Sequence, residues 1–600
     1  MAAKAEDVRW DLGDLYEGIS DPRVGKDFGR ISARAGKFEK KYRGRIKSPS
    51  LTAGELAGAV RELERLSEGI GKILSFAYLL FAADTGNPET GAFRSSTQQK
   101  ATEIQKKLIF FYVEWVSVPK KRAKKLVSHP ELSRHRHFLE QERQYRDHTL
   151  SEAEEKILQE KSNTGQKAFS RLFDEVVNNI QFRVRLSGKT EKLNQSRTLS
   201  LLYDPDRSKR KAAWTGLTRG LTDNSRVLTY IFNTLVNDHS INDRLRSYGN
   251  PMSARHLSNE ISHDAVEALL ESCERNFGFV RRYYRLKREI LGYRRFYDYD
   301  RYAPLGPERE QVPWERAKKV VLSSFGEFSS DMGKTASLFF EKNWIDAELR
   351  DGKRGGAFSH ATVPGAHPYV FMNYTGKPRD AMVLAHELGH GVHQYLSRRR
   401  GYLQAHTPLT TAETASVFAE MLVFHRLKEA ETEGEGRLVL VAEKLEDIIA
   451  TVFRQAVLTR FEQSLHSERR DEGELATARI NELWIEANSE MFGDSVTLTE
   501  NYSYWWLYIP HFIHSPFYCY AYSFGELLTL ALYGMFLERG RSFVPDYMKL
   551  LRSGGSASPA ELLSGLGVDI NDPDFWQSGL DVIGSMVDEV EELSGRFGLG

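Results

Sequence analysis

The chain has 600 residues, 41% hydrophobic and 28% charged, and 83 lysines and arginines balance 82 acidic residues to leave a formal charge of +1. This composition is typical of a globular protein and excludes a largely disordered chain. It also lacks the strongly basic field that indicates a nucleic-acid partner.

The compartment is predicted from two features. Only two cysteines are present, Cys273 and Cys519, which is too few for a disulfide framework and favours a reducing compartment. The first residues contain no apolar run of signal-peptide length, and the most apolar stretch, residues 73–83, is shorter than the ~20 residues that span a bilayer. We expect a cytoplasmic protein without a membrane partner; the oligomeric state is left open.

The first third of the chain predicts successive helices. Thr52 and Glu55 have the spacing of a capping box and open an apolar-periodic segment that runs to about residue 81. Gly-Asn-Pro at 86–88 ends it, and a second helical pattern covers residues 89–118. Ser151, followed three residues later by a glutamate, begins a third helix.

A polar segment at residues 186–198 lacks apolar periodicity and is the best candidate for a domain boundary. We therefore predict an N-terminal helical lobe over residues 1–195 and a catalytic domain over 196–600. Helical patterns resume after the boundary and return in the tail, where Ser558 begins another helix.

A small sheet is predicted between residues 352 and 374. "GKRGGAFSH" is rich in glycine, and "HPYVFMNY" is short, β-branched and aromatic. As an exposed edge strand, "HPYVFMNY" could pair with an extended peptide backbone; a sheet that only braces the site fits equally well. Asn373 and Tyr374, at the end of this strand, are candidate substrate contacts.

The segment "LAHELGHGVHQ" has the spacing of a zinc site. His386 and His390 are four residues apart, so on a helix both imidazoles lie on one face and can converge on one ion. Glu387 follows His386, which places a carboxylate beside the metal as a base. A solvated polar turn explains the pattern less well, because the five residues before His386, 381–385, are all apolar.

A catalytic zinc site normally has three protein ligands. Nearby candidates for the third are His393, His406, Glu413 and Glu420. His393 lies three residues past His390 and cannot easily reach the same ion, so a supporting role or core packing suits it better. Glu413 and Glu420 are seven residues apart on one stripe of the predicted helix "ETASVFAEMLVFHRL", in which small residues allow close approach to the histidine helix.

"HELGHGVHQ" followed after about twenty residues by "ETASVFAE" resembles the oligoendopeptidase F and thimet oligopeptidase family of zinc peptidases. "WDLGDLY", "DPDRSKRKAAW", "GAFS" and "MNYTGKPRD" resemble that family too. The resemblance implies one zinc per chain on His386, His390 and Glu413, with Glu387 as general base and Glu420 orienting a ligand. It further implies a mainly α, two-lobed fold with a small β-sheet beside the active-site helix, a deep central channel, and short unstructured peptides as substrates.

Residues 501–525 contain eleven aromatic side chains. A buried core explains the tryptophans and phenylalanines, whereas so many tyrosine hydroxyls exceed what a core readily satisfies. The family resemblance implies a histidine and a tyrosine here that stabilise the oxyanion, and His511 and Tyr522 fit best. The nearby candidates for substrate contact are His514, Tyr518 and Tyr520.

The predicted reaction is hydrolysis of internal peptide bonds in short peptides. A zinc exopeptidase, of the aminopeptidase or carboxypeptidase type, is one alternative, although no motif for binding a free N-terminus is evident. A non-catalytic, peptide-binding helical scaffold is the other, and such a protein has no reason to combine Glu387 with three metal ligands.

Overall fold

The computed structural model describes residues 5–306, 311–431 and 434–596. Within these residues the chain is mainly helical, as predicted. It divides into two compact units, each assembled from three segments. Unit 1 comprises Met1–Thr149, Arg309–Leu427 and Met535–Asp569; unit 2 comprises Leu150–Glu308, Lys428–Gly534 and Ile570–Gly600.

The α-helices of the described residues, in chain order, are α1 (Pro22–Tyr42), α2 (Ala53–Ala83), α3 (Pro88–Gln105), α4 (Ile109–Ser117), α5 (Lys120–Val127), α6 (Arg136–Gln144), α7 (Glu152–Ser162), α8 (Gln166–Asn179), α9 (Gln195–Ser200), α10 (Arg207–Asp223), α11 (Ser225–Leu245), α12 (Ser253–Asn259), α13 (His263–Arg275), α14 (Phe277–Ile290), α15 (Trp314–Phe328), α16 (Ser330–Glu341), α17 (Pro378–Ser397), α18 (Leu409–Ala430), α19 (Gly434–Thr451), α20 (Phe453–Glu472), α21 (Thr477–Phe492), α22 (His511–His514), α23 (Tyr520–Arg539), α24 (Val544–Ser553), α25 (Pro559–Ser564) and α26 (Pro573–Arg596). Short 3-10 helices cover Pro130–His135, Tyr145–His148, Leu201–Tyr203, Asp298–Asp300, Arg398–Arg400, Glu500–Tyr508 and Gly540–Ser542.

The predicted helix starts are present. Thr52 accepts a hydrogen bond from the Glu55 amide and Glu55 bonds back to the Thr52 amide, so both halves of the capping box hold the start of α2. By length and composition alone α2 could cross a membrane, but half of its most apolar window is buried inside the structure. A core helix passes the same test, so this is weak evidence for a membrane span.

Unit 1 contains the small sheet predicted beside the histidine helix. The strands are β3 (Ile345–Asp346), β4 (Phe358–His360) and β5 (Tyr369–Phe371), in the order β3-β5-β4, with β5 parallel to β3 and antiparallel to β4. The segment "HPYVFMNY" is therefore the central strand, buried and paired on both sides. The edge strand on the β4 side is Phe358–His360, which is half-buried.

The "WDLGDLY" segment near the N-terminus packs on this sheet. The Trp10 ring centroid lies 5.4 Å from that of Phe371 and 5.9 Å from that of Tyr369. The Tyr369 hydroxyl donates to the Asp11 carbonyl at 2.9 Å. The motif thus stabilises the strand that supports α17.

Unit 2 contains a hairpin that the sequence analysis missed. The strands β1 (Phe182–Leu186) and β2 (Lys189–Leu193) are antiparallel and joined at Ser187 and Gly188, both with positive φ. The polar segment at 186–198 is mostly this hairpin and its exit. Its signal in the sequence was the alternation of apolar and basic residues in "FRVRL" before Ser-Gly, and the alternating burial of this strand in the structure agrees with it.

The predicted boundary at residue 195 differs from the division by contacts. Residues 5–149 belong to the same unit as Arg309–Leu427, which carries the histidine helix. A sequence analysis that assumes continuous domains cannot find a unit that the chain leaves and re-enters twice.

Candidate active site

The helices α17 and α18 approach closely at Gly389, between the two histidines. A Cβ added at Gly389 would lie 2.6 Å from the Ala415 carbonyl oxygen and 2.7 Å from Ser416 Cα. Only glycine permits this separation, and Ala415 and Ser416 contribute small side chains on the facing helix. The close crossing brings a residue of α18 within reach of the α17 histidines.

His386, His390 and Glu413 converge at this crossing. Their candidate ligand atoms all lie within 4.8 Å of one another. The Glu413 Oε2 atom is 3.4 Å from His386 Nε2 and 3.4 Å from His390 Nε2. Two ligands at ~2.1 Å from one ion in tetrahedral geometry lie about 3.4 Å apart, so this donor set fits zinc.

Glu420 lies seven residues, or about two helical turns, beyond Glu413 and contacts the other side of His386. Its Oε1 atom is 2.5 Å from His386 Nδ1, which fixes the imidazole orientation and leaves Nε2 for a metal. Burial lowers the pKa of His386, but this hydrogen bond and the neighbouring carboxylates outweigh burial and raise it to about 9.

Glu413 is held by its own helix. The Ser416 hydroxyl donates to Glu413 Oε2 at 2.7 Å. Burial raises the pKa of Glu413, but the charges of His390 and His386 and this hydrogen bond outweigh burial and lower it to about 2. Glu413 is therefore a carboxylate ready to bind a cation.

Glu387 is 7% exposed and lies beside both histidines. It makes no hydrogen bond or ion pair to the residues that the structure describes, so its oxygens are available to accept a proton. Burial raises the pKa of Glu387, and the charges of His386 and His390 partly offset that rise.

The other histidines considered as ligands lie elsewhere in unit 1. His393 is buried, and burial lowers its pKa to about 4. His406 packs its ring against Tyr402, at 6.1 Å between centroids. Neither belongs to the cluster of His386, His390 and Glu413, and His393 has the surroundings of a core residue.

Asn373 and Tyr374, predicted to contact substrate, instead hold their own surroundings. The Asn373 Nδ2 atom donates to the carbonyls of Arg354 and Gly356 in the glycine-rich loop, at 2.9 and 3.0 Å. Tyr374 is fully buried, and its hydroxyl donates to the Val312 carbonyl at 2.7 Å. Strand ends look alike in sequence whether they face a ligand or the core.

The predicted oxyanion residues lie in unit 2 and contact each other. His511 Nε2 is 3.3 Å from the Tyr522 hydroxyl, and Tyr518 packs its ring 5.0 Å from that of Tyr522. Burial and, secondarily, the charges of Arg454 and His514 lower the pKa of His511.

The two remaining candidates of this segment have other partners. Tyr520 is buried and its hydroxyl accepts from Asn259 Nδ2 at 2.8 Å. His514 is exposed and lies 2.9 Å from the Asp174 carboxylate. Tyr520 is therefore a core residue, in place of the substrate contact predicted for it.

The turn between α22 and α23 is clamped by side chains that the sequence analysis missed. Phe517 has a φ of 56°, a left-handed conformation that is costly for an aromatic residue. Its amide donates to buried Glu462 Oε1 at 2.9 Å, and the Pro516 carbonyl accepts from Arg255 at 3.1 and 3.2 Å. Burial raises the pKa of Glu462 to about 8. These contacts position Tyr518 beside His511.

Comparison with known proteins gives a consistent result over nearly the whole chain. The model of peptidase family M3 matches residues 200–582, and a model described as Oligopeptidase F matches residues 114–182. The gap between them coincides with the polar segment at 186–198. Oligopeptidase PepF of Bacillus subtilis (strain 168) is 25% identical over 98% of this chain and 88% of its own length.

Three further matches extend this result. An oligoendopeptidase F homolog of Borreliella burgdorferi is 26% identical over 98% of both chains. In the crystal structure of oligoendopeptidase-F from Enterococcus faecium the same fold recurs, with a TM-score of 0.73, 21% identity and coverage of 96% of this chain and 99% of that one. A crystal structure of a protein from Chlamydophila abortus has a TM-score of 0.87 at 23% identity, with 99% of each chain covered.

Proposed function

We propose a specific activity from an established premise: the chain belongs to peptidase family M3 and is a metallo-oligopeptidase of that family. Its metal is zinc, one ion per chain, held by His386, His390 and Glu413. Its substrates are short unstructured peptides, which it cleaves at internal bonds. The compartment we propose is the cytoplasm, which agrees with two free, buried cysteines.

The convergence of His386, His390 and Glu413 carries this proposal. Three nitrogen and oxygen donors within 4.8 Å of one another suit zinc, and the Glu413 oxygen lies from each histidine nitrogen at the 3.4 Å that a tetrahedral ion requires. The Glu420 contact to Nδ1 of His386 is the outer hydrogen bond typical of metal-ligating histidines. Three protein ligands leave the fourth position for the reaction.

The reaction combines the metal with proton transfer by this chain. When bound, zinc supplies Lewis acidity to the scissile carbonyl and to the attacking water. Glu387 accepts the water proton on a carboxylate oxygen and delivers it to the leaving amine. His511 and Tyr522 are the proposed donors to the oxyanion, and their 3.3 Å contact supports a joint role.

Substrate binding is proposed for the edge of the small sheet. β4 (Phe358–His360) is the edge strand and can pair with an extended peptide backbone, a role the sequence analysis considered for its neighbour β5. Tyr518, half-buried beside His511, and exposed His514 remain proposed substrate contacts.

The test compares metal content and turnover of one fluorogenic peptide across three variants. His386→Ala and Glu413→Ala should lose zinc and activity together. Glu387→Gln keeps the shape of the side chain but cannot accept a proton, so zinc should stay and the rate should fall ~10²–10⁴-fold. Full zinc in both ligand variants, or parent turnover in Glu387→Gln, contradicts the proposal.

A mass-spectrometric cleavage map of a mixed peptide library distinguishes the proposed endopeptidase from a zinc exopeptidase. Cuts at internal bonds, retained when both peptide ends are blocked, are expected. Cuts confined to one free terminus would favour the exopeptidase.

A further inference from the structure

Unit 2 contains a cluster of hydrogen-bond donors that the reaction described above does not use. We call it the arginine–tyrosine cluster, and it consists of Arg301, Tyr302, Arg454 and Tyr508. Arg301 and Tyr302 belong to the first segment of unit 2; Arg454, at the start of α20, and Tyr508, just before α22, belong to its second segment. The Arg454 guanidinium makes no hydrogen bond or ion pair to any residue that the structure describes. The same holds for the hydroxyls of Tyr302 and Tyr508.

Arg301 is held rigidly with its terminal nitrogens unpaired. It is 4% exposed. Its Nε donates to the Asp298 carbonyl at 3.0 Å, and its guanidinium carbon lies 4.9 Å from the Tyr502 ring centroid and 5.2 Å from that of Tyr302. Its terminal N–H groups have no acceptor among the described residues, although they are not sealed from solvent.

The buried Asp298 carboxylate lies close enough to act on Arg301. Arg454 has no carboxylate of this kind within the part of the chain that the structure describes, and an unpaired guanidinium is costly in a largely buried setting. Both guanidinium groups act on Tyr302: burial raises the pKa of this phenol, but the charges of Arg301 and Arg454 outweigh burial and lower it. The cluster therefore combines an unpaired guanidinium with free N–H and O–H donors, which is the chemical character of an anion site.

The cluster adjoins the proposed oxyanion pair. Arg454 is the second residue of α20, and the carbonyl of Val452, just before that helix, accepts from Ser523 at 2.7 Å. Ser523 follows Tyr522 directly in α23. The charge of Arg454 also acts on His511.

We propose that the arginine–tyrosine cluster binds a carboxylate of the peptide substrate, either its C-terminal carboxylate or an acidic side chain. Guanidinium groups match a carboxylate with two parallel N–H donors, and phenol hydroxyls add further donors. The proposal rests on the proposed function, because it takes the neighbourhood of His511 and Tyr522 to be where substrate lies.

The experiment uses the zinc-loaded full-length protein and three versions of one short blocked peptide. The first ends in a free carboxylate and the second in an amide. The third is the amide peptide in which a glutamine on the C-terminal side of the scissile bond is replaced by glutamate. Arg454→Met and Tyr508→Phe are compared with the parent protein and with Arg226→Met, which removes an exposed arginine of α11 in the same unit.

We expect the parent protein to cleave the carboxylate-bearing peptides with a lower KM than the plain amide. Arg454→Met should raise the KM of the preferred peptide about 10- to 100-fold, toward that of the plain amide, as loss of charged hydrogen bonds implies. Tyr508→Phe should reduce the ratio of KM values between the amide and the preferred peptide several-fold. Arg226→Met should leave this ratio as in the parent. Preference for the first peptide alone identifies the terminal carboxylate, and preference for the third identifies an acidic side chain.

Separate outcomes overturn the two proposals. If the parent cleaves none of the peptides, the proposed function fails. If the parent cleaves them all with the same KM, or Arg454→Met slows acid and amide equally at full zinc content, the carboxylate site is refuted. If Arg454→Met does not fold, Arg454→Lys and Tyr508→Phe decide: a reduced preference supports the site, and an unchanged preference refutes it.

Discussion

Gly389→Ala tests whether the helix crossing sets the metal site. The added Cβ would lie 2.6 Å from the Ala415 carbonyl oxygen, 2.7 Å from Ser416 Cα and 2.9 Å from Ala419 Cβ. Ordinary contacts between such atoms are about 3.5 Å, so the three contacts are short by roughly 0.6–0.9 Å, and α18 must move away from α17 by about the larger of these amounts. Two of the three obstructing atoms are backbone and cannot rotate aside.

The expected energies follow from two opposing effects. Overpacking costs about 1–3 kcal/mol, and alanine returns about 1 kcal/mol relative to glycine in a helix. We expect the apparent free energy of unfolding to fall by up to about 2 kcal/mol. The larger effect should be on the metal, because a constellation of ligands tolerates only about 0.5 Å of displacement and Glu413 moves with α18.

The assay measures zinc retention against a graded chelator, turnover, and unfolding in urea. Gly29→Ala is the matched control: it lies in α1 of the same unit, and a Cβ there meets nothing within 4 Å. The control should keep zinc and gain about 0.5–1 kcal/mol. A Gly389→Ala protein that matches the control in zinc retention, turnover and unfolding refutes the argument from the close crossing.

Three further predictions concern single side chains. Glu420→Ala should weaken zinc binding about 10- to 100-fold in a chelator titration, because Nδ1 of His386 loses its partner; affinity equal to the parent would exclude this role. Tyr522→Phe should keep zinc and lower kcat by up to ~10²–10³-fold, since one donor is removed; an unchanged kcat contradicts its place at the oxyanion. Glu462→Leu should lower kcat and expose the Phe517 amide to hydrogen exchange, whereas Glu462→Gln, which keeps an acceptor oxygen, should restore both; a glutamine variant as impaired as the leucine one would point to a need for charge.

The local features of the fold were predictable because they depend on neighbouring residues. The capping box at Thr52 and the mainly helical class follow from spacings of three or four positions, and the structure confirms them. The His386–His390 pair is of the same kind, since one helical turn determines its geometry. Glu413 was one of four candidates for the third ligand from the residues alone, and the family resemblance singled it out.

What the sequence could not provide depends on partners far along the chain. β5 reads as an edge strand until β3 and β4 are placed on both sides of it. Tyr374 and Tyr520 looked like donors for a ligand, because their hydrogen-bond partners lie far along the chain: the Val312 carbonyl, which accepts from Tyr374, is 62 positions away, and the Asn259 amide, which donates to Tyr520, is 261 positions away. The clamp of Glu462 on the turn at Phe517 spans 55 positions, and no local pattern indicates it.

The threefold segmentation of unit 1 has a consequence for biosynthesis. α24, in the last segment of that unit, contributes Tyr547, whose buried hydroxyl donates to the Thr414 carbonyl at 2.9 Å and whose ring packs 4.4 Å from that of Phe418. This support for the Glu413 helix emerges from the ribosome more than a hundred residues after the proposed metal ligands. At ~5–20 residues per second the nascent chain holds its ligands for several seconds without that support. Metal acquisition should therefore be a late, nearly post-translational event, and a ribosome-bound chain stalled before Met535 should fail to retain zinc.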